Sequence, residues 1–220
     1  MEVKVCGMKD PVNVEALQQL WINYIGFIFY EKSPRYVTLE GDAFTGFDKL
    51  KKQGVKKVGV FVDAEKEYVL AKAEEFKLDY VQLHGKENIF YCKDLKEKGL
   101  NIIKAFAIDN EFVFTQTQAY QYFCDYFLFD TKGKKPGGNG ISFDWNVLNK
   151  YHGETPFFLS GGIGPDDLEA INQLRLLRLE GIDLNSGFEI EPGKKDVGKL
   201  KTFLDGLSHH ESRDWGSDFY

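Results

Sequence analysis

The sequence predicts a single-domain α/β protein, a (β/α)8 TIM barrel, on three observations. Short apolar runs alternate with amphipathic segments from one end of the chain to the other. Most of these runs are nearly continuous in hydrophobicity, as strands buried on both faces must be. They number eight, the count that closes a parallel barrel. A chain of 220 residues, 43% hydrophobic and 28% charged, suits one substantial soluble core.

In chain order, the strand candidates are Val3–Cys6, Tyr24–Phe29, Lys57–Val62, Tyr80–Leu83, Ile102–Ala107, Tyr126–Asp130, Pro156–Ser160 and Ile182–Asn185. Val14, Leu17, Leu20 and Trp21 recur at helical spacing after the first strand. Val69, Leu70, Ala73 and Phe76 do so after the third, and Val197, Leu200, Phe203, Leu204 and Leu207 after the eighth. Each stripe suits the outside of a strand ring. Gly41 to Gln53 holds two glycines, and Asp109 to Phe123 is aromatic and Gln-rich, so both are weak helices. An open doubly wound sheet is the rival, but it normally carries a Gly-rich nucleotide loop after its first strand. Here that strand ends in Cys6-Gly7 with no such loop. The barrel is expected to span 1–207. Residues 208–220 lack periodicity and read as a frayed tail, with His209 and His210 as surface residues rather than metal ligands.

A net charge of −6 argues against general nucleic-acid binding. Cys6, Cys92 and Cys124 are odd in number and widely spaced, with no zinc-type spacing. With no secretory leader at the start, free thiols in a reducing cytoplasm are expected. The longest apolar stretch, Trp21 to Tyr30, is about half the ~20 residues of a membrane helix, and Asn23 interrupts it. A membrane role has little support.

An active site on this fold forms at the carboxyl ends of the strands. Those ends are Cys6, Phe29-Tyr30, Asp63, His84, Ala107, Asp130, Ser160 and Asn185, several of which can move a proton. A strand-end cysteine taken alone reads more readily as an inert buried thiol. Ser160-Gly161-Gly162-Ile163-Gly164 follows the seventh strand and Asn185-Ser186-Gly187-Phe188-Glu189 the eighth. Glycines there let backbone N–H groups approach an anion, and these loops are the recurrent phosphate site of the fold. After the second strand, Pro34 stiffens a loop in which Arg35 can act as a carboxylate clamp or lie solvated. Gly137-Gly138-Asn139-Gly140 reads as a mobile loop able to close over substrate, or as a plain connector.

At these residues the sequence resembles the phosphoribosylanthranilate isomerase family of tryptophan biosynthesis. The matching pieces are Lys4-Val5-Cys6-Gly7, Gly26 to Tyr30, Lys32 to Tyr36, Val58 to Val62, Val81 to Gly85 and Asp130-Thr131-Lys132. They continue with Gly137 to Gly140, Phe143-Asp144-Trp145, Ser160-Gly161-Gly162, Asp183 to Glu189 and Pro192 to Asp196. The likeness runs in order from the first strand to the last helix. Asn139 and Asn185 depart from the family's usual Thr and Ser, and Phe188 from a smaller aliphatic residue.

The resemblance implies an aldose–ketose isomerisation, the Amadori rearrangement of N-(5-phosphoribosyl)anthranilate to the carboxyphenylamino-deoxyribulose phosphate. It implies Asp130 as general acid, Cys6 as general base and Arg35 facing the anthranilate carboxylate. The backbones of Gly161, Gly162, Ser186 and Gly187 would hold the phosphate, and Asp183 would lie near the sugar hydroxyls. It implies no metal or organic cofactor, a small-molecule substrate and a monomer or homodimer. A free thiol is only a few per cent thiolate near pH 7. A helix N-terminus or Lys4 would raise that fraction, although strand neighbours face opposite sides and Lys4 can point away. Asp130 needs the reverse, a desolvated site where its acid form survives.

Three rivals are an isomerase of the histidine-biosynthesis type, a phosphate-binding lyase or synthase barrel, and a non-catalytic phosphometabolite sensor. The first uses two carboxylates and a doubled phosphate site, the second lacks the Cys6/Asp130 pair, and the third can dispense with either residue.

Overall fold

The computed structural model of the chain describes residues 1–38, 47–131 and 145–207. Eight parallel strands close into a barrel in sequence order. They are β1 (Glu2–Val5), β2 (Tyr24–Ile28), β3 (Lys56–Phe61), β4 (Tyr80–Leu83), β5 (Ile102–Ile108), β6 (Tyr126–Thr131), β7 (Phe157–Ser160) and β8 (Leu179–Leu184). Closure comes from β1 pairing β8, with Lys4 opposite Asp183 and Val5 opposite Leu184. All eight predicted strands are present. The largest boundary shift is in β8, which starts at Leu179 and ends before Asn185. Gly181 explains part of that miss: a glycine inside an apolar run weakens the pattern, and here an added Cβ would lie 2.2 Å from the Glu2 carbonyl oxygen.

The connections are less regular than the strands. The helices are α1 (Pro11–Ala16), α2 (Phe47–Lys52), α3 (Lys66–Glu75), α4 (Ile89–Glu97), α5 (Leu168–Gln173) and α6 (Val197–Gly206). Side chains set three of their starts: Asp10 accepts from the N–H groups of Val12 and Asn13, Asn88 from Tyr91, and Asp196 from Lys199. α1 gives way at Leu17 to a 3-10 turn, so the predicted stripe loses phase and Trp21 is 49% exposed. Helix α4 is additional to the stripes read from sequence, because only Cys92 and Leu95 of its face are buried. The segment after β5 forms a 3-10 turn, Phe114–Tyr120, rather than an α-helix. Aromatic packing does the covering there: Phe106 meets Phe127 at 5.2 Å and Tyr120 at 5.3 Å, and Phe129 meets Phe157 at 4.9 Å.

The apolar core divides in two. The larger part lies between the strand ring and its outer layer. The smaller part, Tyr24, Val58, Ile103, Ala105, Leu128 and Phe158, fills the inside of the ring. Among the described residues no helix is long and apolar enough to cross a membrane. The Gly137–Gly140 loop, Lys132, Phe143-Asp144, Gly41 to Gly46 and the 208–220 tail with His209 and His210 lie outside the described residues.

Candidate active site

A cavity of about 260 Å³ opens at the carboxyl ends of the strands. Cys6, Asp130, Gly161, Gly162, Asp183 and Ser186 of the predicted site line it, together with Gln82 and His84. Cys6 extends β1 and Asp130 belongs to β6, three strands away around a ring of eight. The two groups therefore approach one cavity from different walls. Arg35 and Gly187 are not among the lining residues.

Cys6 is held in place from both sides. Its N–H donates to the Leu184 carbonyl at 2.9 Å. Gly26 on β2 leaves room for the thiol, since an added Cβ would lie 2.7 Å from Sγ and 3.1 Å from the Cys6 Cα. Lys4 does not point away. Residues two apart on a strand share a face, and the fully buried Lys4 ammonium bonds to Asp183 Oδ1 at 2.9 Å and acts electrostatically on the Cys6 thiol. Burial pushes the thiol above its ordinary value, Asp183 adds to this, and the charges of Lys4 and Lys195 oppose it. Burial alone would lower Lys4, but Asp183 and Cys6 outweigh it and hold the ammonium above its ordinary value. Asp183 is thus the counter-ion of Lys4, and its Oδ2 accepts from Ser160 Oγ at 3.4 Å.

Asp130 is not desolvated as expected, its side chain being 35% exposed. Its Oδ2 lies 3.2 Å from His84 Nε2, and His84 Nδ1 lies 2.8 Å from the buried Gln82 Nε2. His84 is one of the strand ends named from sequence, without a specific role, and Gln82 shares its face two residues earlier on β4.

Arg35 is a clamp already occupied by protein. Its Nε donates to both Glu189 oxygens at 2.8 and 3.0 Å, and its Nη2 donates to Oε2 at 2.6 Å. Burial would raise Glu189, but Arg35, Lys195 and the Gly193 N–H together hold it below the usual carboxylate range. Lys195 Nζ also donates to Asn185 Oδ1 at 2.7 Å, and its backbone is pinned to Asn13 of α1. Arg35 packs against Gly7, whose Cβ would sit 2.7 Å both from Arg35 Cδ and from Oδ1 of the cavity-lining Asn185. Glu189 and Lys195 were passed over as a site in the sequence because each looks like an ordinary surface charge.

The loops after β7 and β8 meet closely. Gly161 and Gly162 both have positive φ, at 99° and 71°, which L side chains rarely adopt. The place a Gly162 Cβ would occupy has no atom within 4 Å, so that backbone faces open space. Gly187 touches the opposite loop: its Cβ would lie 2.3 Å from the Ile163 carbonyl oxygen. Gly187 therefore serves loop contact, while Gly161, Gly162 and Ser186 border the cavity. Among the described residues no cluster of three or more His, Cys, Asp or Glu side chains could hold a metal ion.

Residues 3–206 match the family model described as N-(5'phosphoribosyl)anthranilate (PRA) isomerase. The chain is 50% identical over 209 residues to the N-(5'-phosphoribosyl)anthranilate isomerase of Parabacteroides distasonis, covering 95% of this chain and 94% of that one. The crystal structure of phosphoribosyl anthranilate isomerase from Thermotoga maritima superposes with a TM-score of 0.76 at 32% identity, over 94% of this chain and 98% of the other. A further structure, at 29% identity and TM-score 0.74 over 94% and 98% of the two chains, holds reduced 1-(o-carboxyphenylamino)-1-deoxyribulose 5-phosphate.

Proposed function

Because the chain belongs to the phosphoribosylanthranilate isomerase family, we propose that it converts N-(5'-phosphoribosyl)anthranilate to 1-(2-carboxyphenylamino)-1-deoxyribulose 5-phosphate, with Asp130 as acid and Cys6 as base. The observation that carries the assignment of roles is that both groups line one cavity from separate walls. Between them lie the loops of β7 and β8 with their open glycine backbone. A phosphate bound at Gly161, Gly162 and Ser186 would anchor one end of the substrate and leave the sugar between acid and base.

The steps follow from that placement. Asp130 gives its proton to the furanose oxygen; the C1′–O bond breaks and the anthranilate nitrogen lone pair forms the C1′=N bond. The Cys6 thiolate then takes the C2′ proton, and the C–H electrons pass into a C1′–C2′ double bond as the iminium is neutralised. Tautomerisation of this enolamine gives the ketone at C2′. Each well-placed proton transfer contributes about 10²–10⁴-fold. Burial pushes the resting thiol up, against Lys4 and Lys195, so the thiolate forms by releasing the thiol proton to solvent before it takes the C2′ proton. The iminium adds a third positive charge beside Cys6 at the step that needs the thiolate. Asp183 holds the Lys4 ammonium and also borders the cavity, where it can meet the sugar hydroxyls. Arg35, gripped by Glu189, offers the anthranilate carboxylate a guanidinium whose orientation is set in advance.

The histidine-type rival needs a second phosphate site in the first half of the barrel. The Asp63 and Glu87 carboxylates stand there instead. They accept the N–H groups of Lys86 at 2.6 Å, Asp63 at 2.9 Å and Gly85 at 3.0 Å. Two carboxylates holding these amides repel a phosphate rather than bind it.

The test generates the substrate in the assay and follows loss of anthranilate-type fluorescence. Turnover by the wild type, and its near loss in Asp130→Asn and Cys6→Ala with the fold retained, is the expected result. Full activity in either variant removes that residue from the mechanism.

A further inference from the structure

We propose that His84 is a positioning residue for Asp130, with the tautomer of its ring chosen by Gln82; this rests on the reading of Asp130 as the acid. Gln82 and His84 lie two residues apart at the end of β4, so they share a face, and that face borders the cavity. Gln82 is 1% exposed. Its amide N–H donates to His84 Nδ1 at 2.8 Å. A ring nitrogen that accepts a hydrogen bond carries no proton, so the neutral imidazole holds its hydrogen on Nε2. That N–H faces Asp130 Oδ2 at 3.2 Å.

The consequence is a division of labour between the two carboxyl oxygens. Oδ2 is occupied as an acceptor from His84, so the acid's own proton belongs on Oδ1, the oxygen available to the substrate. When the Oδ1–H bond breaks, the proton passes to the sugar ring oxygen and the electron pair stays on the carboxylate. The His84 hydrogen bond then becomes charge-assisted and strengthens as the negative charge develops. His84 keeps its hydrogen throughout, and no further proton moves.

The other end of the Gln82 amide is unpaired. Among the described residues, Gln82 Oε1 is the one buried side-chain polar atom with no hydrogen-bond partner. Buried amides ordinarily satisfy both ends. Here only the donor end is engaged, and its engagement is with the nitrogen that decides the ring's tautomer. An apolar residue would fill the same space without leaving an unpaired carbonyl, but it could not dictate which nitrogen carries hydrogen.

The experiment has two arms. In the first, ¹⁵N NMR of the full chain labelled at histidine, assigned with a His84 variant, reads the tautomer of the neutral ring. The wild type is expected to show Nε2–H. Gln82→Glu, whose carboxylate only accepts, is expected to draw hydrogen onto Nδ1. A wild-type ring protonated on Nδ1, or averaging between tautomers, overturns the proposal. In the second arm, His84→Ala is expected to lower kcat about 10- to 100-fold while KM stays within about threefold. His84→Gln, whose amide can still donate to Oδ2, is expected to recover most of the loss. Wild-type kcat in His84→Ala overturns the proposal. So does a loss shared by kcat, KM and thermal stability that His84→Gln does not relieve, since that marks a structural role. A wild type without turnover of phosphoribosylanthranilate removes the proposed function and the His84 role together. An active wild type with the wrong tautomer removes only the latter.

Discussion

The two ends of the barrel interior are built on opposite principles. At the amino end, Tyr24, Tyr80, Tyr126 and Phe158 close a ring of edge-on and tilted contacts, 5.1 to 5.8 Å between neighbouring ring centroids. At the carboxyl end, the ring buries Lys4 of β1, Gln82 of β4, Ser160 of β7 and Asp183 of β8. The aromatic end gains stability from apolar area and ring geometry. The polar end gains little, because a buried ion pair must offset the desolvation of both charges. Lys4 and Asp183 are therefore better understood through Cys6, whose proton they influence, than through folding. The contrast teaches that this barrel keeps its stability and its chemistry in different layers of one interior.

The largest expected effect is confined to the polar end. Asp130→Asn and Cys6→Ala should each lower kcat by about 10³-fold or more, with the urea midpoint of unfolding nearly unchanged. A loss of stability matching the loss of rate would break the division between layers. The converse test is Phe158→Ala, a fully buried ring in the aromatic end. It should destabilise the chain by about 3–5 kcal/mol in urea titrations, while kcat at low temperature stays within about threefold of wild type.

Lys4→Met is expected to affect both properties. It leaves Asp183 buried without its counter-ion, which costs about 3–5 kcal/mol at neutral pH. The thiol loses an opposing positive charge and moves further up, so the acidic limb of kcat/KM shifts to higher pH. Lys4 stands above its ordinary value in the folded chain. Its contribution to stability is thus fully present below the unfolded lysine value of about 10.4 and is lost as pH rises through the folded one. The stability gap between wild type and Lys4→Met should narrow in strongly alkaline urea titrations.

Smaller effects sharpen the boundary. In Gly26→Ala the new methyl would press on Cys6 Sγ and on the Cys6 backbone, costing about 1–3 kcal/mol and about tenfold in kcat by the fluorescence assay. Glu189→Gln keeps the shape but releases Arg35 from a charged partner. It should raise KM more than it lowers kcat, with about 1–3 kcal/mol of stability lost. Because Glu189 lies below its ordinary value when folded, its stabilisation exists above the unfolded carboxylate value and fades as pH falls through the folded one. Wild type and variant should therefore converge in acid.

Strands were legible because burial on both faces leaves long apolar runs, and all eight closed in order. The covering layer was less so. The Asp109 to Phe123 segment packs as a 3-10 turn because Phe114 and its aromatic neighbours decide the local geometry. Cys6, Asp130 and the glycines at positions 161 and 162 were readable as strand-end chemistry. His84 was readable as a strand end and Gln82 only as part of its strand, but nothing local says that a histidine on β4 meets an aspartate on β6. Arg35 was readable as a clamp or a solvated side chain but not as Glu189's partner, because Glu189 stands 154 residues away in the chain.

By itself the sequence determined the eight-stranded parallel architecture, the strand-end location of the reactive groups and the family to which the chain belongs. These depend on periodicity, composition and ordered motifs, all of which are local in the chain. Only the tertiary structure decided which charges meet: Lys4 with Asp183 and Cys6, Arg35 with Glu189, His84 with Asp130. Closing the ring brings residues from distant strands within hydrogen-bonding reach, and burial then decides how strongly each ion pair acts on the reactive groups.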